Sequence, residues 1–188
     1  MAVTYFPQRL FVLLILVGIP FSAVGEERGH HEFYLGQIAT DEEIQSWDID
    51  VGPDGVGLPE GSGTVSDGAK VYVMHCANCH GMMGVEGPMS KLVGGQGTLA
   101  SSKPIKTIGS YWPYATTLFD YINRAMPFMA PQSLVHNDIY AVVAWLLFRN
   151  GLIDENTVMN KETLPQVRML RQSGFVSDPR PDVNQPKP

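Results

Sequence analysis

Hydrophobic residues recur at helical spacing in several stretches of the chain, most clearly in 137–150. Aliphatic side chains there fall on one helical face, and Gly151 follows as a typical C-cap. These aliphatic residues are Ile139, Val142, Val143, Leu146 and Leu147. The same periodicity predicts a helix over 66–76 that begins with Ser66 as its cap. Each of these two helices is expected to bury one apolar face.

Two further helices are predicted from start and stop signals. The stretch 114–124 has helical periodicity and is followed by Pro127, which ends a helix. A short helix over 40–47 is indicated by Thr40, a good N-cap, because three acidic residues follow it in the first turn. Few stretches favour strands, and no internal repeat is visible. The fold class predicted is all-α.

The segments between these helices are long and rich in glycine and proline. They cover 26–65, apart from its short helix, and 81–113. The tail, 154–188, contains five prolines and little periodicity, and we expect it to wrap around the domain. Such long loops are unusual in so small a domain unless something other than side chains fills its centre. A buried cofactor would do so.

The first 25 residues have the layout of a secretory signal. Arg9 provides a positive charge, 10–19 is an unbroken apolar run, and Pro20 and the small residues of 23–25 follow. The apolar run is half the length of the roughly 20 residues that a transmembrane helix needs. Export to the periplasm is therefore predicted, and an uncleaved membrane anchor is the alternative.

The charge of the chain is acidic. The formal net charge is −6, and it becomes −7 after removal of 1–25, which contains one arginine and no acidic residue. The basic residues are scattered rather than clustered, so no surface for nucleic acid is indicated.

The only two cysteines, Cys76 and Cys79, are separated by two residues and followed directly by His80. A disulfide at this spacing would close a tiny loop and stabilise little. A zinc site needs four ligands, and no further cysteine or suitably spaced histidine supplies them. A thioredoxin-like pair follows a strand and opens a helix, whereas this pair ends a predicted helix. Covalent attachment of haem uses both thiols and the imidazole, so we predict one haem c.

A second axial ligand to the iron is expected from a methionine later in the chain. Met126 lies between two predicted helices, where Pro127 stiffens the backbone and can hold the sulfur in place. Met129 in the same loop is the alternative. Three other methionines are too close to His80 to reach the opposite face of a haem: Met82, Met83 and Met89. We predict His80 and Met126 as the iron ligands.

The stretch 110–114, S-Y-W-P-Y, offers hydroxyls and an indole N–H to the haem propionates. Buried propionates need such donors because an unpaired buried charge is costly. Trp112 is the candidate we favour, and the alternative is that these aromatic residues only fill the core. Arg124 could also pair with a propionate, although an exposed position on a helix fits it equally well.

Together these features resemble the class I c-type cytochromes, which have a first helix, C-x-x-C-H, a loop, a methionine before a proline and a last amphipathic helix. The resemblance implies a few helices around one covalently bound haem. In that family a glycine and an aromatic residue of the first helix pack against an aliphatic and an aromatic residue of the last. The matching positions are Gly68, Tyr72, Val142 and Trp145. The resemblance also implies that the Pro88 carbonyl accepts the proximal imidazole N–H, which orients the ring.

Three longer stretches, 47–65, 107–128 and 141–153, are similar to the cytochrome subunits of sulfur-oxidising molybdenum enzymes. These include the sulfane dehydrogenase of the Sox system and the sulfite dehydrogenases. The resemblance implies an electron-transfer protein that receives electrons from a molybdopterin sulfite or sulfur-compound dehydrogenase and delivers them to a downstream cytochrome or oxidase. The sulfane dehydrogenase subunit is typically a longer, two-haem chain, whereas this chain has one haem motif.

These patterns and the resemblance together divide the chain. They give a signal peptide over 1–25, an extended N-terminal arm over 26–65, a cytochrome c domain over 66–153 and a proline-rich extension over 154–188. The glycine- and proline-rich segment 48–63 and the extension are candidate docking segments for an enzyme partner. Two other functions remain open: a free monohaem shuttle to a terminal oxidase, and a haem-based gas or redox sensor with an open distal site. No acid–base or nucleophile arrangement suggests that the chain is itself an enzyme.

Overall fold

The computed structural model describes residues 36–178 and residue 180, so the predicted signal peptide, 1–25, lies outside the described residues. Over this part of the chain the elements are α1 (Asp41–Trp47), β1 (Ser62–Thr64), α2 (Val65–His75), α3 (Ala77–His80), α4 (Ala115–Ala125), α5 (His136–Arg149), β2 (Val158–Asn160) and a 3-10 turn (Leu164–Gln166). The all-α prediction is confirmed, with one small antiparallel sheet of two three-residue strands added to it. Among the described residues, no helix is both long enough and apolar enough to cross a bilayer.

The helices begin where side chains satisfy their first amides. The Thr40 hydroxyl accepts a hydrogen bond from the Glu43 N–H, and the Glu43 carboxylate accepts one from the Thr40 N–H, which confirms the predicted start of α1. The predicted cap of α2 was wrong. Its cap is Thr64, whose hydroxyl accepts from the Asp67 N–H at 3.1 Å, and Ser66 lies inside the helix. Thr64 takes this role because it ends β1 with extended backbone, the conformation that an N-cap needs.

Helices α2 and α5 make the closest contact in the core. A β-carbon at Gly68 would overlap the carbonyl oxygen of Ala141 and approach the Trp145 side chain, so a glycine permits the crossing. One turn later Tyr72 stacks on Trp145, with ring centroids 3.9 Å apart. The packing of the first helix of the cytochrome domain against its last helix, which the resemblance implies, is therefore confirmed. The atoms nearest to Gly68 belong to Ala141, the residue before the expected Val142, and to Trp145, which was expected, while Val142 itself is fully buried.

The glycine- and proline-rich segment 50–62 lies across α4 and α5 and is fixed to both. The Val51 N–H donates to the buried carboxylate of Asp120 on α4 at 2.9 Å. The Tyr140 hydroxyl on α5 donates to the Pro59 carbonyl at 2.9 Å. A predicted arm of the sequence is thus part of the folded domain over these residues.

The C-terminal tail returns to the same side of α5. β2 pairs antiparallel with β1, which places Met159 opposite Gly63. Met159, Leu164 and Met169 are all buried in the common core. The tail therefore wraps around the domain as expected, and it contributes core side chains as far as Met169.

Candidate functional site

The cysteine motif occupies the turn where α2 gives way to α3. Cys76 ends α2, and the N–H groups of Cys79 and His80 donate to its carbonyl at 3.1 and 3.0 Å. Residues three apart on a helical turn lie on the same side, so the two cysteines share one face of this turn. The following residue, Gly81, has φ of +79°, which lets the chain leave the helix sharply.

Both thiols are free, although their environments differ. Cys76 is half-buried against the core, and Cys79 is exposed. Burial, and to a smaller extent the neighbouring Cys79, raises the pKa of the Cys76 thiol to about 11. Reactive thiols of redox pairs have lowered pKa values, so a neutral Cys76 argues against a thioredoxin-like role.

His80 is oriented by a backbone carbonyl. Its Nδ1 lies 2.8 Å from the carbonyl oxygen of Ser90. A carbonyl can only accept, so Nδ1 carries the proton and Nε2 keeps the lone pair that binds a metal. The identity of this acceptor corrects the expectation from the resemblance, which placed the Pro88 carbonyl here. Pro88 is two residues earlier in the same loop, and its binding role stays a prediction.

The loop that presents this carbonyl, 81–94, is tied down at several points. The Tyr72 hydroxyl donates to the Gly81 carbonyl at 2.9 Å, and the Met89 N–H donates to the Cys79 carbonyl at 2.9 Å. A β-carbon at Gly87 would overlap the Cys79 carbonyl oxygen, so the loop passes closer to the motif than any other residue type would allow. The loop is held against the cysteine turn by its own backbone.

The two methionines proposed for the distal side differ clearly in burial. Met126 ends α4 and packs partly buried against the core. Met129, three residues later, is 89% exposed. A ligand sulfur must be held in place by its surroundings, and burial favours Met126 for this role. Its ligation of the iron stays a prediction.

The polar groups predicted for the propionates are only partly available. The Ser110 hydroxyl donates to the Ile105 carbonyl at 2.6 Å, so its proton is already used. Trp112 is half-buried and meets Tyr121 edge-on, and no partner of its indole N–H is found in the described part of the chain. Trp112 thus remains the candidate donor of this stretch. Arg124 is engaged elsewhere, since its guanidinium lies 2.6 Å from the Asp120 carboxylate.

Two residues that hold loops in place, one of them the loop beside the cysteine motif, were not recognised in the sequence. Asp120 holds both Arg124 and the Val51 amide, and Asn150, at the end of α5, bonds the backbone of the 81–94 loop. An aspartate within an amphipathic helix and an asparagine before a glycine look like ordinary surface and cap residues. Their hydrogen-bond partners include loop backbone far away in sequence, so these partners become apparent only in the folded chain.

These residues fit haem c. Two free thiols on one side of a helical turn match the two vinyl groups, and the adjacent imidazole has its Nε2 free for the iron because Nδ1 is held. Among the described residues, no group of three or more His, Cys, Asp or Glu side chains is placed to hold a metal ion directly, as a thiolate zinc site would require.

Comparison with known proteins leads to the same family. Residues 63–146 match the family described as cytochrome c oxidase, cbb3-type, subunit III. A chain in the crystal structure of the sulfane dehydrogenase SoxCD from Paracoccus pantotrophus is 44% identical. The alignment covers 80% of this chain and 74% of that one, with a TM-score of 0.72. No curated protein in the comparison matches the sequence. By its fold, its cysteine turn and this identity, the chain belongs to the class I c-type cytochromes and is an electron-transfer protein rather than an enzyme.

Proposed function

We propose that this protein is a periplasmic monohaem cytochrome that accepts electrons from a molybdenum-containing sulfite or sulfur-compound dehydrogenase and passes them to the respiratory chain. The observation that carries the proposal is the 44% identity, over 80% of the chain, with a chain of the sulfane dehydrogenase SoxCD. Identity at this level extends well beyond the haem motif and includes the segments that surround it. A similar partner surface would be retained with them.

The chain's own residues would hold a single haem. Cys76 and Cys79 would form the two thioethers, and His80 would bind the iron through Nε2 while the Ser90 carbonyl fixes its ring. Met126 would be the second axial ligand, and its thioether favours the ferrous state and so raises the potential. When bound, haem c supplies an iron that takes up and returns one electron. Because His80 and Met126 would stay bound in both oxidation states, little would rearrange on electron transfer, which suits a rapid reaction.

Electron delivery from the dehydrogenase tests the proposal directly. The holoprotein is mixed with the purified molybdenum enzyme and sulfite or a sulfane-sulfur substrate, and haem reduction is followed by absorbance. Fast reduction with co-elution on gel filtration is expected for a dedicated subunit. Fast reduction without co-elution would indicate a free shuttle, and reduction no faster than with heat-inactivated enzyme would contradict the proposal.

Export and haem attachment are checked by the mass of the mature protein. We expect a chain that begins at Glu26 and carries the mass of one haem that denaturation does not remove. A haem-free mass, or a mass that includes residues 1–25, would contradict the corresponding part of the proposal.

A further inference from the structure

Asn150 connects the end of α5 to the 81–94 loop. Its side chain is buried, and every polar group of the carboxamide is used. The Nδ2 group donates to the carbonyls of Leu146 at 2.9 Å and Leu92 at 3.2 Å. Oδ1 accepts from the Gly94 N–H at 3.1 Å. One side chain thus joins the last turn of a core helix to two peptide groups of the loop.

The carbonyl that faces His80 lies two residues from this connection. Ser90 O is 2.8 Å from His80 Nδ1, and one residue separates Ser90 from Leu92. Leu92 is held on both sides, because its N–H donates to the Gly84 carbonyl at 2.8 Å and its carbonyl accepts from Asn150. These bonds restrain the backbone two residues after the Ser90 carbonyl and so limit its movement away from the imidazole.

Asn150 is itself enclosed. Gln96 Nε2 donates to its backbone carbonyl at 3.3 Å. On another side, a β-carbon at Gly109 would overlap Asn150 Oδ1. A buried, fully bonded amide of this kind costs free energy whenever one of its bonds is broken, so it resists displacement.

We propose that Asn150 is a positioning residue for the proximal ligand: it holds the Ser90 carbonyl against His80 Nδ1 and thereby sets the basicity of the imidazole. A histidine that donates to a carbonyl is a stronger ligand, and stronger donation favours ferric iron. Asn150 therefore lowers the reduction potential, in opposition to the methionine thioether. The proposal rests on His80 as the haem ligand and does not depend on which enzyme supplies the electrons.

The test compares holoprotein carrying Asn150→Ala with the wild type. We expect a higher midpoint potential, because the Ser90 carbonyl moves away and the imidazole loses basicity. We expect the shift to stay below about 59 mV, which for one electron corresponds to a tenfold change in the preference between the two oxidation states. The Nδ1 proton of His80 should also exchange faster with solvent, as measured by NMR.

The matched control is Asn160→Ala. The Asn160 side chain also bonds backbone amides, those of Glu162 and Thr163, but it lies in the tail and not on the 81–94 loop. It should lower stability without a shift in potential or in His80 exchange. Equal shifts in both variants, or none in a folded Asn150→Ala protein, would overturn the proposal. Asn150→Asp, which keeps Oδ1 and removes the Nδ2 donor, should shift the potential in the same direction by less.

The wild-type protein provides a measurement that needs no substitution. If Asn150 holds the Ser90 carbonyl, the Gly94 amide and the His80 Nδ1 proton become accessible in the same opening event. We expect their exchange to report the same opening free energy. Exchange of the His80 proton through a much more frequent opening than that of Gly94 would overturn the proposal even if the variants failed to fold.

Discussion

Tyr72 and Trp145 stack face to face, with ring centroids 3.9 Å apart and planes at 28°. The Tyr72 hydroxyl extends this contact to the site, because it donates to the Gly81 carbonyl directly after the haem motif. Burial raises the pKa of Tyr72, so the hydroxyl stays protonated and remains a donor at any physiological pH. The crossing of α2 and α5 and the start of the 81–94 loop are thus held by one side chain, one turn before Cys76.

The crossing predicts that Gly68→Ala destabilises the protein, although alanine is the better helix former. Alanine gains about 1 kcal/mol of helix propensity over glycine. Its β-carbon would overlap the Ala141 carbonyl, and backbone on both sides leaves nothing flexible to move. Overpacking of this kind costs about 1–3 kcal/mol or more, so we expect a net loss of stability in denaturant titration.

Gly174→Ala is the control for this substitution. The nearest atom to its added β-carbon is 3.4 Å away, on the neighbouring Arg171 side chain, which is an ordinary contact. The unfolding midpoint should stay close to that of the wild type. If Gly68→Ala unfolded at the wild-type midpoint as well, the close crossing described above would be incorrect.

The contacts of Asp120 predict that loss of its buried hydrogen bond to the backbone destabilises the protein more than loss of its surface ion pair. In Asp120→Ala the Val51 N–H loses its acceptor, and an unsatisfied buried donor costs about 1–3 kcal/mol. In Arg124→Gln the same carboxylate keeps Val51 and loses an ion pair whose arginine is about half exposed, worth about 0–1 kcal/mol. Urea unfolding of both variants checks the order. Equal losses would mean that the Val51 bond adds nothing measurable to stability.

Limited proteolysis gives a second measurement of the same contact. The segment 50–62 should become susceptible to cleavage in Asp120→Ala and stay resistant in Arg124→Gln. This difference follows because only the first substitution removes the bond between the Val51 N–H and α4.

Periodicity and local signals were enough to predict four of the helices, but not the four-residue α3. The observed α4 and α5 begin and end within one residue of the predicted 114–124 and 137–150. The helices are predictable because their apolar faces and end signals are local properties of the sequence. The cap of α2 was missed because Thr64 became a cap only through the strand that precedes it, and that strand depends on pairing with residues almost 100 positions away.

The chemistry of the site could be predicted from the sequence, but the residues that hold its loops and ligands in place could not. The cysteine motif predicts, by residue type and spacing alone, which residues attach haem and which histidine binds its iron. The acceptor for His80 was placed at Pro88 and is Ser90, since the path of a glycine-rich loop is not encoded in any periodicity. Asp120 and Asn150 act on loops far away in sequence, so their roles become visible only in the folded chain.

The tail predicts two different outcomes for two truncations. Removal of 155–188 eliminates β2 and the buried Met159 and Leu164, so we expect loss of folding rather than loss of a partner. Removal of 177–188 leaves these core residues in place and tests docking alone. If the end of the tail docks on the dehydrogenase, this shorter truncation should weaken pull-down of the enzyme at unchanged thermal stability. Undiminished pull-down would contradict a docking role for the last residues.

The distal ligand is decided by a matched pair of substitutions, Met126→Leu and Met129→Leu. Leucine conserves the volume of methionine and removes the sulfur, so packing is disturbed little. Because Met126 is held against the core and Met129 is 89% exposed, we expect only Met126→Leu to abolish the weak absorption band near the red end of the spectrum that marks a bond between methionine and ferric iron. Loss of the thioether should also lower the midpoint potential by more than about 59 mV, a tenfold change in the preference for ferrous iron.

Loss of the band in Met129→Leu, with retention in Met126→Leu, would assign the ligand to the exposed residue instead. Absence of the band in the wild-type protein would contradict methionine ligation altogether and favour an open distal site, which binding of carbon monoxide by the ferrous protein would then detect.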